Sequence, residues 1–203
     1  MPPRQPPARS LPHIWLFTDA RIDGALLSAL AACPPRSGVV VRHDHLAKGA
    51  RAALLRRVRR AAKARRMTLM LAGTGAQAGR LGADGVHLRR TTRAAVKVAH
   101  ARGLAVSAPV HNRLQLVAAR RAGVDLVFAS PVFTTRSHAG AAALGVKAYL
   151  RLTVGCGMAA VPLGGMTARR ARGICRRRGG GPAGAPAFAA IDHWVDQARK
   201  RRG

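Results

Sequence analysis

GVHLRRTTRAAVKVAHARGLAVSAPVHNRLQLVAARRAGVDLVFAS, residues 85–130, decides the fold. Three short apolar runs, GVHL (85–88), AVSAPV (105–110) and DLVFAS (125–130), alternate with two longer basic, Ala-rich segments at 91–102 and 112–122. Runs this short read as buried strands, and spacers of this length are helices that return the chain so that successive strands lie parallel. The unit repeats: LGADGVH (81–87) and AGVDLVF (122–128) each carry Gly, then Asp, then an apolar run. Asp84 and Asp125 fall at the starts of their strands, the stabilising end of a parallel α/β barrel, so both read as structural caps.

The same pattern extends outward in both directions. IWLFTD (14–19), GVVVRH (38–43) and TLMLAG (68–73) precede the central stretch, and AAVPLGG (159–165) and FAAID (188–192) follow it. Eight candidate strands fit a closed barrel. The chain is therefore read as α/β, a single-domain (β/α)₈ TIM barrel over 13–203, preceded by a disordered, basic, Pro-rich tail at 1–12. Segments 47–66 and 167–178 read as further helices; Leu54, Leu55 and Val58 give the first an apolar stripe, and the Arg-rich faces are expected to point outward.

Composition narrows the classes. Of 203 residues, 36 are Lys or Arg against seven acids, all Asp, for a net charge of +29. Such a field attracts any polyanion. Only 3% of residues are aromatic, too few for a stacking platform, and the arginines are spread over several helices, so a basic nucleic-acid-binding module is the weaker reading. No stretch approaches the roughly 18 uninterrupted apolar residues of a membrane span. Cys33, Cys156 and Cys175 are odd in number and lack metal-site spacing, which fits a reducing cytoplasm. The start lacks the apolar core of a secretory signal.

In a barrel, ligand-facing groups stand at the C-terminal ends of strands. This selects Arg42 and His43, Gly73 and Thr74, His87 and Arg89, His111 and Asn112, the 130–140 loop, Gly164 and Gly165, and Asp192 with His193. LGGMT (163–167) sets two glycines before a helix, where backbone N–H groups and the helix dipole favour a phosphate. His111 closes AVSAPV and points to the mouth, where an imidazole can move protons near neutral pH.

LFTD (16–19), VVVRH (39–43), GADGVHL (82–88), VSAPVH (106–111), SPVFTTRSH (130–138), LGGM (163–166) and FAAI (188–191) together, in order, resemble the thiamine phosphate synthase/TenI family. SPVFTTRSH and GADGVHL are its most specific pieces. The resemblance implies a barrel of thiamine biosynthesis. Its synthases join a pyrimidine pyrophosphate to a thiazole phosphate with Mg²⁺, while TenI-like relatives aromatise the thiazole by tautomerisation. It implies pyrophosphate binding by Arg42, hydroxyl contacts to the thiazole phosphate from Thr135 and Ser137, backbone contacts from Gly164 and Gly165, and a proton-transfer role for His111.

Several family positions are altered. Val40 and Asp44 replace the Gln and Lys that flank the family's Arg. Ala72 and Gly73 stand at its Asn-Asp pair, Thr92 at its metal-binding Asp, and His138 at its pyrophosphate-binding Lys, where a phosphate contact is still expected. The thiazole-phosphate half is better retained than the pyrophosphate-metal half. Mg²⁺ is expected for the family, but its carboxylate ligands are missing, so no metal ligands are assigned. The expected partners are a thiazole phosphate and, for coupling, a pyrimidine pyrophosphate. Tautomerase and noncatalytic ligand sensor remain as alternatives to synthase.

Overall fold

In the computed structural model, residues 11–136, 140, 142–178 and 186–201 are described. Eight strands form, each within a segment expected from the sequence: β1 (Ile14–Phe17), β2 (Gly38–Val41), β3 (Thr68–Ala72), β4 (Gly85–His87), β5 (Ala105–Val110), β6 (Leu126–Ala129), β7 (Ala159–Pro162) and β8 (Phe188–Ala190). All ladders are parallel, in the order β7-β6-β5-β4-β3-β2-β1-β8, and the two end strands meet across the seam. The chain is a (β/α)₈ barrel with interleaved helices and one core.

The helices are α1 (Leu26–Ala32), α2 (Lys48–Ala64), α3 (Gly75–Arg80), α4 (Arg93–His100), α5 (Arg113–Ala122), α6 (Gly145–Thr153), α7 (Ala168–Arg177) and α8 (Asp192–Lys200), with a 3₁₀ turn at Ala20–Ala25 before α1. Polar side chains start several of them: Thr74, Thr92, Asn112 and Thr167 each accept a backbone N–H from the first turn of the following helix. These caps fix where each helix begins, immediately after a strand's C-terminal end, and so fix the loops that surround the mouth.

The barrel interior is filled by Trp15, Phe17 and Phe128, whose rings meet edge to face with centroids 4.7–5.4 Å apart. The Trp194 indole of α8 donates to the Trp15 carbonyl at 3.1 Å, tying the last helix to the first strand. Leu11 packs on the core and the Pro12 carbonyl accepts the Trp15 indole N–H at 2.6 Å, so both belong to the folded body. At the opposite end from the mouth, Asp84 accepts the Leu69 N–H at 2.9 Å and Asp125 the Val106 N–H at 2.7 Å. Each carboxylate braces its strand against the preceding one.

Candidate active site in the barrel mouth

The C-terminal strand ends enclose a cavity of about 760 Å³, large enough for a phosphorylated heterocycle. Arg42, His111, Thr135, Gly164 and Gly165 all line it, brought together from β2, β5, β6 and β7. Ser137 and His138 lie outside the described residues.

One side is built of backbone. The chain after β6 runs beside the chain after β7, with Val132 N–H donating to the Leu163 carbonyl at 2.9 Å and Phe133 N–H to that of Gly164 at 3.1 Å. Gly164 and Gly165 both hold positive φ, +92° and +58°, as the turn into α7 requires. A Cβ on Gly164 would stand 2.7 Å from the Pro131 Cα, and one on Gly165 would collide with the Thr134 carbonyl. Among the described residues, the two glycine amides donate to no other group of the chain. They stand one turn before α7, whose first turn adds further N–H groups and a positive dipole end.

His111 stands on the rim beside this cradle. Its Nδ1–H donates to the Ser130 carbonyl at 2.6 Å, and its backbone N–H to Gln115 Oε1 at 2.8 Å. The first bond fixes the neutral tautomer: the proton is on Nδ1, and Nε2 keeps a lone pair.

His87 forms part of the floor. It packs between Phe17 and Phe128 and shares a 3.0 Å hydrogen bond with Ser107, which in turn donates to Met70 Sδ. Burial, assisted by the positive charge of Arg42, pushes its pKa down to about 3. The ring is therefore a neutral polar group at any ordinary pH.

The other side of the mouth is built of arginines. Arg42 donates from Nε to the Thr18 carbonyl at 2.9 Å and from Nη2 to Asp19 at 3.2 Å. Beneath it, Thr18 accepts the Arg42 backbone N–H and donates to His43 Nδ1, and His43 Nε2 donates to Asp23 at 2.5 Å. This chain of bonds pins the end of β2 to that of β1. Arg51 departs from the outward orientation expected of α2: its side chain is only 14% exposed, and Nη2 reaches Asp44 at 2.8 Å and the carbonyls of Arg42 at 2.8 Å and Ala72 at 2.5 Å. An arginine this near the helix start can satisfy carbonyls left open at the ends of β2 and β3, which outweighs solvation of its head group. Asp44 also pairs with Arg89.

These residues do not fit Mg²⁺. Ala72 and Gly73 offer no side-chain oxygen, and the Thr92 hydroxyl is engaged in capping α4 at 3.2 Å. The acids that do line the mouth are already paired: Asp19 with Arg21 and Arg42, Asp44 with Arg51 and Arg89, Asp192 with Arg21. Among the described residues, no three His, Cys, Asp or Glu side chains converge as metal donors. Gly73 has φ +152°, so a carboxylate at that position would strain the backbone.

Sequence reasoning did not find Asp23, Arg51 or the pairing of Asp19. Their signal is geometric: Asp23 meets His43, Arg51 the carbonyls of Arg42 and Ala72, and Asp19 meets Arg42, across 9 to 23 positions of the chain.

Fold and mouth together define a parallel α/β barrel with a ligand cavity at the C-terminal ends of its strands. The chain belongs to the thiamine monophosphate synthase family, whose sequence model matches residues 17–188. Its fold is similar to that of thiamine phosphate pyrophosphorylase from Pyrococcus furiosus, with TM-score 0.72 at 17% identity over 93% of each chain. It is also similar to 2-keto-3-deoxy-6-phosphogluconate aldolase of Zymomonas mobilis ZM4, with TM-score 0.60 at 14% identity over 94% of this chain and 90% of that one. At such identities the likeness is one of fold. No curated protein sequence matches the chain significantly. Among the described residues, no helix is long and apolar enough to cross a membrane.

Proposed function

We propose that the protein binds a thiazole phosphate in the barrel mouth and moves a proton on its ring through His111, a tautomerase reaction within thiamine biosynthesis. The family membership supplies the pathway. The observation that carries the reaction is the 2.6 Å bond from His111 Nδ1–H to the Ser130 carbonyl, which leaves Nε2 as a proton acceptor beside the glycine cradle.

In this reading the phosphate rests on the amides of Gly164 and Gly165 with Thr135 alongside, and the ring extends over Phe17 and His87. Nε2 takes a proton from one ring position and returns it at another. The ligand gains and loses no atoms, no group leaves, and no developing pyrophosphate charge has to be neutralised. Coupling to a pyrimidine pyrophosphate makes that last demand, and the pairing of every carboxylate that lines the mouth among the described residues argues against it.

Turnover of a non-aromatic thiazole phosphate tautomer tests the assignment. The wild type converts it, and His111→Ala is slower by about 10²–10⁴-fold, the usual contribution of a positioned acid–base group. Unchanged turnover in His111→Ala would remove the residue from the mechanism. No turnover by the wild type, with thiazole phosphate still bound, would leave a noncatalytic ligand-binding protein.

A further inference from the structure

At the end of the barrel opposite the mouth, the turns that lead into β2 and β3 enclose an open concavity of about 280 Å³, lined by Pro35, Arg36, Ala64, Arg65 and Arg66. Three of these residues are arginines and none is an acid. Arg36 and Arg66 stand where glycine is the ordinary occupant. Arg36 is the third residue of a turn closed by the Ser37 N–H on the Pro34 carbonyl at 3.4 Å, with φ +61°, and Arg66 follows the C-terminus of α2 with φ +54°. A left-handed backbone disfavours any residue with a Cβ, and such outliers gather where the side chain has work to do. Among the described residues, neither guanidinium bonds to another group. Arg65 is fixed beside them: its Nη2 donates to the Cys33 carbonyl at 2.6 Å, its Nε is buried without a partner, and its carbonyl accepts the Arg36 N–H at 3.0 Å. The last bond locks the two turns together, and the buried unmade bond is a cost that calls for a reason.

We propose that Arg36, Arg65 and Arg66 form a site for a doubly charged phosphoryl group, as borne by inorganic phosphate or a phosphate monoester, at the N-terminal end of the barrel. Guanidiniums match phosphoryl oxygens with paired N–H donors, and a dianion offsets the mutual repulsion of three like charges better than a monoanion does. The C-termini of α1 and α2 lie at the same end and oppose an anion. Each carries only about half a negative charge against three full positive ones, and the Arg65 head group already covers the Cys33 carbonyl. The length of β2 and β3 separates this site from the mouth, so its ligand takes no part in the chemistry there. It braces the starts of the two paired strands that lead to Arg42 and Ala72. The proposal is independent of thiazole binding, and either can fail without the other.

NMR titration of the isotope-labelled full chain with inorganic phosphate, methyl phosphate and dimethyl phosphate reads the two ends of the barrel separately. It is run at constant ionic strength and about pH 8, where the first two probes are doubly charged. The backbone amide signals of Arg36, Ser37, Arg65 and Arg66 shift saturably with inorganic phosphate or methyl phosphate. The tighter of the two identifies the free or the esterified ion, and either supports the site. Dimethyl phosphate, with a single charge, needs about tenfold more or does not act. Arg36→Gly and Arg66→Gly each weaken the response about tenfold, the loss expected for one charge-assisted contact. Both variants stay folded because glycine suits these positions better than arginine, and the Gly164 and Gly165 signals respond as in the wild type. Arg57→Ala, an equal change in net charge at an exposed residue of α2 outside the concavity, leaves the response unchanged. Shifts confined to the mouth, an equal response to dimethyl phosphate, or equal losses in Arg57→Ala and Arg66→Gly would each overturn the proposal.

Discussion

The two sides of the mouth turn hydrogen-bond donors toward the same cavity with different parts. On the β6–β7 side the donors are main-chain amides, placed by two glycines in left-handed conformations and by the N-terminus of α7. On the β2–β4 side they are guanidiniums, each steered by an Asp: Arg42 by Asp19, Arg89 by Asp44. A backbone cradle depends on conformation and tolerates change in most side chains around it. A site made of side chains depends on the partners that hold each head group, here the carboxylates of Asp19 and Asp44.

The largest effect comes from breaking the glycine side. Gly165→Asp combines a clash against the Thr134 carbonyl, an unfavourable φ and a repelling charge. Thiazole phosphate affinity falls about a hundredfold or more, roughly 3 kcal/mol. Unaltered affinity by calorimetry would move the phosphate elsewhere.

His87 lies beneath both sides, and its titration tests the floor they share. Its pKa is about 3 in the fold, against 6.5 in the unfolded chain. A base with a lowered folded pKa takes up protons on unfolding. Its contribution is therefore constant above about pH 6.5, and stability is lost as pH falls from there toward 3. Between pH 7 and pH 5 this amounts to about 2 kcal/mol. Denaturant midpoints of wild type and His87→Gln across that interval measure it, and parallel pH profiles would contradict the buried neutral imidazole.

A smaller effect sharpens the arginine side. Thr92→Asp keeps an N-cap on α4 and changes stability by only about 0.5 kcal/mol, whereas Gly73→Asp forces an L residue to φ +152° and costs about 1–3 kcal/mol. Thermal midpoints of the two variants distinguish them. Equal midpoints would show that the backbone at position 73 accepts a carboxylate-bearing residue as readily as that at position 92. Smallest of all, burial raises the Cys33 thiol to about 12, so half-exposed Cys175 is alkylated first at pH 8, as peptide mapping reads.

The strands were legible because each is an apolar run bounded by charged or Gly-containing segments, and those runs also located the mouth. Four helices were less so. α1 (LLSALAA) is apolar on nearly every side, α3 (GAQAGR) is short and holds two glycines, α6 (GVKAYLRLT) lies behind a loop, and α8 begins at Asp192, which reads equally as the end of a strand. Among the residues lining the mouth, Arg42, His111, Gly164 and Gly165 were legible because each follows a strand end closely, and Thr135 through the resemblance of SPVFTTRSH to the family. Arg51 was not. On α2 it looks like every other arginine of a solvated face, and it is drawn inward by Asp44 together with the open carbonyls of Arg42, just past β2, and of Ala72 in β3.

On the function proposed above, this mouth moves a proton without a metal and does not couple pyrimidine to thiazole. Turnover of the full chain measured in parallel, thiazole tautomerisation in EDTA and coupling of pyrimidine pyrophosphate to thiazole phosphate with Mg²⁺, tests it most directly. The expected result is tautomerisation that is indifferent to EDTA and coupling no faster than the uncatalysed background. Robust coupling that requires Mg²⁺ would contradict it.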